Sequence, residues 1–204
     1  MQFYKAVWLI LFVVLATALA ACGGDGEEIA LLQSVTAEEE DFGSFTLHYP
    51  EGWINEVDND NIYVATSQTA LDRALSSSAE ETLSSDEAGA WAWVIAAEEY
   101  ADQGIEGDSP TEVIQAFVAG FVEGGNEANL GSPDDFSAGG RSAAWIRGTI
   151  ANDAGVFFGA IIVAIAIDGG TGFIFVITPP DEVDDREALA RALASEFEFT
   201  PAAQ

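Results

Sequence analysis

The apolar positions along the chain fall into three regimes. Over residues 6–21 they run almost unbroken, a stretch shorter than the ~20 residues that a bilayer span requires. The next residues are polar and acidic apart from a short patch at 29–32, which predicts a flexible tether over 22–42. From 43 to 204 apolar and polar positions alternate with short local periods, the pattern of a single globular domain. Phe45, Leu47 and Tyr49 alternate with Thr46 and His48, which predicts a half-buried strand with His48 on the solvated face. Pro50-Glu51-Gly52 and Asp58-Asn59-Asp60-Asn61 predict turns, the second leading into a strand over 62–65. Residues 67–88 predict a surface excursion with a short helix over 70–75, followed by a strand over 90–97 that sets Trp91 and Trp93 on one face.

The second half is more sharply punctuated. Ser109 can cap a helix, Pro110 fits its first position, and Glu112 completes a capping box. Val113, Ile114, Phe117, Val118, Phe121 and Val122 follow at helical spacing as one apolar stripe, expected to pack in the core, until Gly124-Gly125 ends the helix. Strands are predicted over 141–151, 156–167 and 172–178, separated by the turn formers Asn152-Asp153-Ala154-Gly155 and Asp168-Gly169-Gly170. The middle strand is apolar on both faces and so belongs inside a sheet covered on both sides. Pro179-Pro180 stops the sheet, and Asp184 is placed to cap a last helix with Ala188, Leu189, Ala192 and Leu193 turned inward.

A basic residue, Lys5, precedes the first apolar run, so residues 1–21 have the form of a secretory signal peptide. The run closes on Leu19-Ala20-Ala21-Cys22, which resembles the lipobox of bacterial lipoproteins. That resemblance implies recognition of Leu19, Ala20 and Ala21 by the signal peptidase, cleavage before Cys22, and acylation of the Cys22 thiol. The expected location is then the extracytoplasmic face of the cell membrane, with membrane lipid engaged through acylated Cys22. Two or three acyl chains, at about 0.8 kcal/mol per buried methylene, hold a protein stably where one is marginal.

Composition narrows the partners. A formal net charge of -29 makes nucleic acid an improbable ligand, because binding a polyanion relies on lysines and arginines that displace its counterions. Cleavage before Cys22 removes Lys5, the chain's only lysine, and no acid, which leaves -30. One cysteine excludes an internal disulfide, one histidine excludes the usual zinc sites, and no cofactor is expected.

Several segments resemble the PsbP-like domain of bacterial lipoproteins, of the DcrB and LpqN groups. They are the opening Phe45-Thr46-Leu47-His48-Tyr49-Pro50-Glu51-Gly52-Trp53, the capped helix from Ser109, Gly140-Arg141-Ser142-Ala143-Ala144-Trp145 before the long hairpin, and Ile177-Thr178-Pro179-Pro180, a helix, then Ala194-Ser195-Glu196-Phe197. Together they span about 43 to 200. The resemblance implies an α+β fold, an antiparallel β-sheet flanked by helices as a PsbP-like α-β-α sandwich. It also implies a noncatalytic accessory or binding module with an envelope protein as partner. The photosynthetic role of the best known members does not transfer to this chain.

The chain has no nucleophile elbow, metalloprotease helix, P-loop or dinucleotide fingerprint. A Ser-His-Asp site would have to use His48, which the alternation makes an ordinary surface histidine. Asp58 and Asp60 are weak metal candidates, because their segment lacks the sixth-position Gly and twelfth-position Glu of a calcium loop; Thr69 stands at the latter. The alternatives that remain are a calcium-binding surface protein and an envelope hydrolase. The latter would use some pair among 35 carboxylates. Trp53, Trp91, Trp93 and Trp145 are expected in the core.

Overall fold

The computed structural model describes residues 29–202 apart from 59 and 77. The chain order is β1 (Gln33–Glu39), β2 (Gly43–Tyr49), β3 (Ile54–Asp58), β4 (Asn61–Ala65), α1 (Gln68–Leu75) and β5 (Gly89–Ala96). A 3-10 turn (Ala97–Glu99), α2 (Pro110–Glu123), β6 (Ala128–Leu130), β7 (Asp134–Ala138) and β8 (Arg141–Ala151) follow. The domain closes with β9 (Phe157–Ile167), β10 (Gly170–Thr178), α3 (Glu187–Ser195) and β11 (Glu198–Pro201).

All strand pairing among these residues is antiparallel. The larger sheet runs β3-β4-β5-β10-β9-β8-β6, with β7 also on β8, and a smaller sheet runs β1-β2-β11. As its two-sided apolar run requires, β9 lies inside the larger sheet and is covered on both faces. Ile161, Val163 and Ile165 join a core shared with α3 and the smaller sheet, through Phe45, Leu47, Leu189, Leu193 and Phe197. Ile162 and Ala164 join a second core under α1 and α2, with Leu71, Val113, Ile114 and Phe173. The fold is therefore an antiparallel sheet flanked by helices, as expected, with the smaller sheet sharing the α3 face. The β9–β10 connection is the pair Asp168-Gly169, with Gly169 at φ 78° where a side chain is strained.

Helix α2 begins as its sequence dictates. Ser109 Oγ accepts from Glu112 N at 3.3 Å, and Glu112 Oε2 accepts from Ser109 N and Oγ at 3.3 and 2.7 Å. The stripe behind that cap splits, however: Val113 and Ile114 are fully buried, Phe117, Val118 and Phe121 only in part, and Val122 is 47% exposed.

Two further expectations are corrected. Residues 33–39, read as tether, form β1, in register with β2 from Gln33↔Tyr49 to Glu39↔Gly43. Only Val35 and Ala37 mark its inward face in the sequence, too few apolar positions to stand out against the acidic surroundings. Ile29 and Leu31 also pack against the first core, so the domain reaches back beyond 43. Asp184 does not cap α3: Arg186 stands there without a side-chain cap, while Asp184 accepts from Arg147 Nη1 at 2.8 Å. The 181–186 segment winds in turns that bury Val183, and the inward residues of α3 are Leu189, Ala190, Leu193 and Ala194, with Ala188 exposed.

Candidate functional site

Strand β4 pairs with β5 only from Ile62↔Ala92 to Ala65↔Gly89, whereas β10 follows β5 all the way to Ala96. Residues 93–96 of β5 thus lie past the end of β4. Over that gap opens a cleft of about 550 Å³, within the range of small-molecule sites. Its walls are Trp93 and Ile95 of β5, Ala116, Phe117, Gly120 and Phe121 of α2, and Glu99, Gln103 and Ile105 of the following loop. Glu39 from the end of β1 and Asp60 from the β3–β4 turn close the mouth.

The floor is aromatic and fixed. Trp93 stacks on its cross-strand partner Phe173, with ring centroids 5.0 Å apart and planes at 5°; Phe117 leans on both at 5.7 and 5.4 Å. The loop wall is tied down by Ala97 N to Gly169 O, Ile105 N to Tyr100 O, both 2.8 Å, and a 2.5 Å hydroxyl bond between Tyr100 and buried Thr171. Burial raises the Tyr100 phenol, which keeps it a neutral donor or acceptor in that bond.

The rim carries charge that the protein does not neutralise. Glu39 and Asp60 meet in a side-chain hydrogen bond, for which one carboxyl must hold a proton. Burial, that bond, and the negative charges of Asp60, Glu99 and Glu40 push Glu39 up from 4.5 to about 7. The five arginines are engaged elsewhere: Arg73 with Glu81 and Glu87, Arg147 with Asp184 and Glu187, Arg186 with Glu182 and Arg191 with Glu187. Arg141 donates to the Ala194 and Phe197 carbonyls.

Because the folded state holds a proton on Glu39 that the unfolded chain releases near 4.5, stability from this group falls as pH rises from about 4.5 to about 7. Glu39→Gln should therefore be nearly neutral at about pH 4.5 and stabilising by on the order of 1 kcal/mol at about pH 8, with screening at a part-exposed group allowed for. Urea unfolding of both proteins across that range measures it; a difference that does not grow with pH contradicts the shared proton.

Of the residues singled out by sequence, Leu19, Ala20, Ala21 and Cys22 lie outside the described residues. Asp58 ends β3 opposite Asn61, while Asp60 accepts from Asn61 Nδ2 at 2.8 Å and turns to Glu39. Among the described residues no group of three or more His, Cys, Asp or Glu is placed to hold a metal ion. His48 lies in the smaller sheet with Nε2 3.4 Å from Glu198 Oε1. Trp145 is buried, with the Arg191 and Arg147 guanidinium groups 4.5 and 5.1 Å from its ring. Trp53 and Trp91 pack partly buried against the two cores, Trp91 edge-on to Phe175 at 4.2 Å. Trp93 packs partly buried against the second core, as expected, and its outer side also lines the cleft. Glu39, Glu99 and Gly120 were not marked by any motif; the one local signal is a glycine inside a strong helix.

No protein-family model matches the chain, and no curated protein does. Among solved structures it is similar to a mutant of the protein Mog1, with a TM-score of 0.50 and 13% identity over 82% of this chain and 96% of that one. It is also similar to cyanobacterial PsbP (CyanoP) from Synechocystis sp. PCC 6803, with a TM-score of 0.49 and 16% identity over 90% and 99% of the two chains. A third is LpqN, a protein involved in cell envelope biogenesis of Mycobacterium tuberculosis, with a TM-score of 0.41 and 14% identity over 83% and 91%. At 13% identity the likeness to the Mog1 structure is one of fold.

Proposed function

We propose that the protein is a noncatalytic binding module of the cell envelope, held on the extracytoplasmic face of the membrane by acylated Cys22 and offering the cleft between α2 and β5 to its ligand. The observation that carries this reading is the cleft itself, with a fixed aromatic floor and a carboxylate rim that no arginine neutralises. Gly120 adds to it. A glycine inside a helix costs about 0.5–1 kcal/mol relative to alanine, yet a Cβ built here meets nothing within 4 Å. Packing does not demand this glycine; its effect is to keep the cleft open.

Anchoring rests on the lipobox resemblance. With Ile29 already packed on the domain, residues 22–28 remain between lipid and fold, a reach of about 25 Å at full extension. The module would work close to the membrane surface.

The proton-sharing carboxyls also have the form of an acid dyad, which is the observation that favours a hydrolase as second reading. They are too close for glycoside hydrolysis, which needs carboxyls about 5 Å or more apart with the sugar between them. A photo-reactive side chain placed at Gln103, on the cleft wall, separates the readings in intact cells, with exposed Ser34 as the control position. The expected result is a discrete light-dependent adduct at 103 and none at 34. Peptide turnover by the purified protein that disappears in Glu39→Gln would establish the hydrolase instead.

A further inference from the structure

Given that reading of the cleft as the binding site, its chemistry narrows the ligand. We infer that it takes an organic cation, with an ammonium or guanidinium group among Glu39, Asp60 and Glu99 and an apolar body on Trp93, Phe117 and Phe121. Three observations converge on this class. The aromatic floor gives an apolar body a dry surface and offers a cation the negative faces of rings. The rim is acidic only: Glu39 is faced by Asp60 from the β3–β4 turn, Glu99 from the 3-10 turn and Glu40 from its own end of β1. Glu98 and Asp41 line the adjoining hollow, again with no basic group.

A bare metal ion suits this rim poorly, because hard cations take six or more oxygen ligands and no trio of candidate ligands converges among the described residues. An organic cation is more weakly hydrated and needs compensating charge rather than a coordination shell. The proton bound between Glu39 and Asp60 occupies the place of that charge, so cation and proton compete. The cation could belong to a free amine or to an arginine side chain of a partner, which present the same chemistry.

The test is calorimetric titration of the full-length protein in a non-ionic detergent, with phenethylammonium and acetyl-Phe-Arg-amide as the two cationic probes and phenethyl alcohol as the neutral isostere. Saturable binding of either cation, about tenfold or more tighter than the alcohol, is the expected result. The affinity should fall about fivefold or more between about pH 8 and about pH 5.5, and binding should release protons in the lower part of that range, where the free site still holds one. Glu39→Gln should weaken the cation about tenfold, whereas Asp181→Asn, which removes the same charge from an exposed turn outside the cleft, should change it less than about twofold. Preference for the amine assigns a free ligand, and preference for the peptide amide an arginine of a partner; both uphold the inference.

Equal binding of alcohol and ammonium would overturn it. So would equal loss in the two charge variants, which is the mark of diffuse attraction to an acidic protein. An adduct at Gln103 with no saturable cation binding would leave the cleft as a binding site and remove the cation; absence of both would remove the two together.

Discussion

Phe173→Ala is expected to cost about 3–5 kcal/mol of unfolding free energy, a large share of the ~5–15 kcal/mol that holds a domain of this kind. Phe173 has no exposed surface and lies in the middle of the larger sheet, in ring contact with both Trp93 and Phe117. Removing its ring takes away the apolar transfer energy and leaves a cavity that the stacked Trp93 cannot collapse into without leaving its own strand position. Phe117 is different. It comes from the same apolar stripe that the sequence marks as core, but it is partly exposed in the cleft wall, so Phe117→Ala should cost only about 1–2 kcal/mol. Urea unfolding of the two variants measures the contrast, with Phe173→Leu, at about 1.5 kcal/mol or less, as the variant that stays folded if the alanine does not. Equal losses at 173 and 117 would mean that the cleft is closed in solution.

Cys22→Ala is expected to move the protein from the membrane fraction to the soluble one almost completely, and mass spectrometry should show loss of the acyl mass along with it. The size of the effect follows from the anchor: at about 0.8 kcal/mol per buried methylene, two or three chains dominate membrane affinity. No helix among the described residues is long and apolar enough to cross a bilayer. The acidic surface opposes adsorption, because anionic headgroups repel a chain of charge -30 after cleavage. Membrane retention of Cys22→Ala at the wild-type level would contradict the anchor and with it the membrane-proximal placement of the cleft.

Where the chain could be read from its sequence, the reading rested on strong local signals. The capping box at Ser109, the two-sided apolar run that became β9, and the Asp168-Gly169 hairpin each contain their own instruction. The smaller elements do not. β1 has two inward apolar residues followed by glutamates, and β6 and β11 are edge strands of three and four residues whose existence depends on the neighbours they pair with. Asp184 had the right chemistry for a cap but a nearer claim from Arg147, a partner thirty-seven positions away. The cleft is the extreme case, because it arises where β4 stops short of the end of β5 and β1 folds back across the gap. Glu39, Asp60, Trp93 and Phe117 meet there from four separate elements, and no local pattern announces such a meeting. Only Gly120, the one glycine inside the amphipathic helix α2, departs from its surroundings in a way that sequence could have flagged.

That glycine also gives the most direct measurement of the central claim, that the open cleft is the working surface of the protein. A leucine at 120 projects into the cleft from a position where its Cβ meets nothing within 4 Å, and it replaces a poor helix former by a good one. Gly120→Leu, carrying the photo-reactive side chain at Gln103, should unfold at higher urea, by about 0.5–1 kcal/mol, and should lose the light-dependent adduct in intact cells. A stabilised variant that still forms the adduct at the wild-type level would contradict the claim.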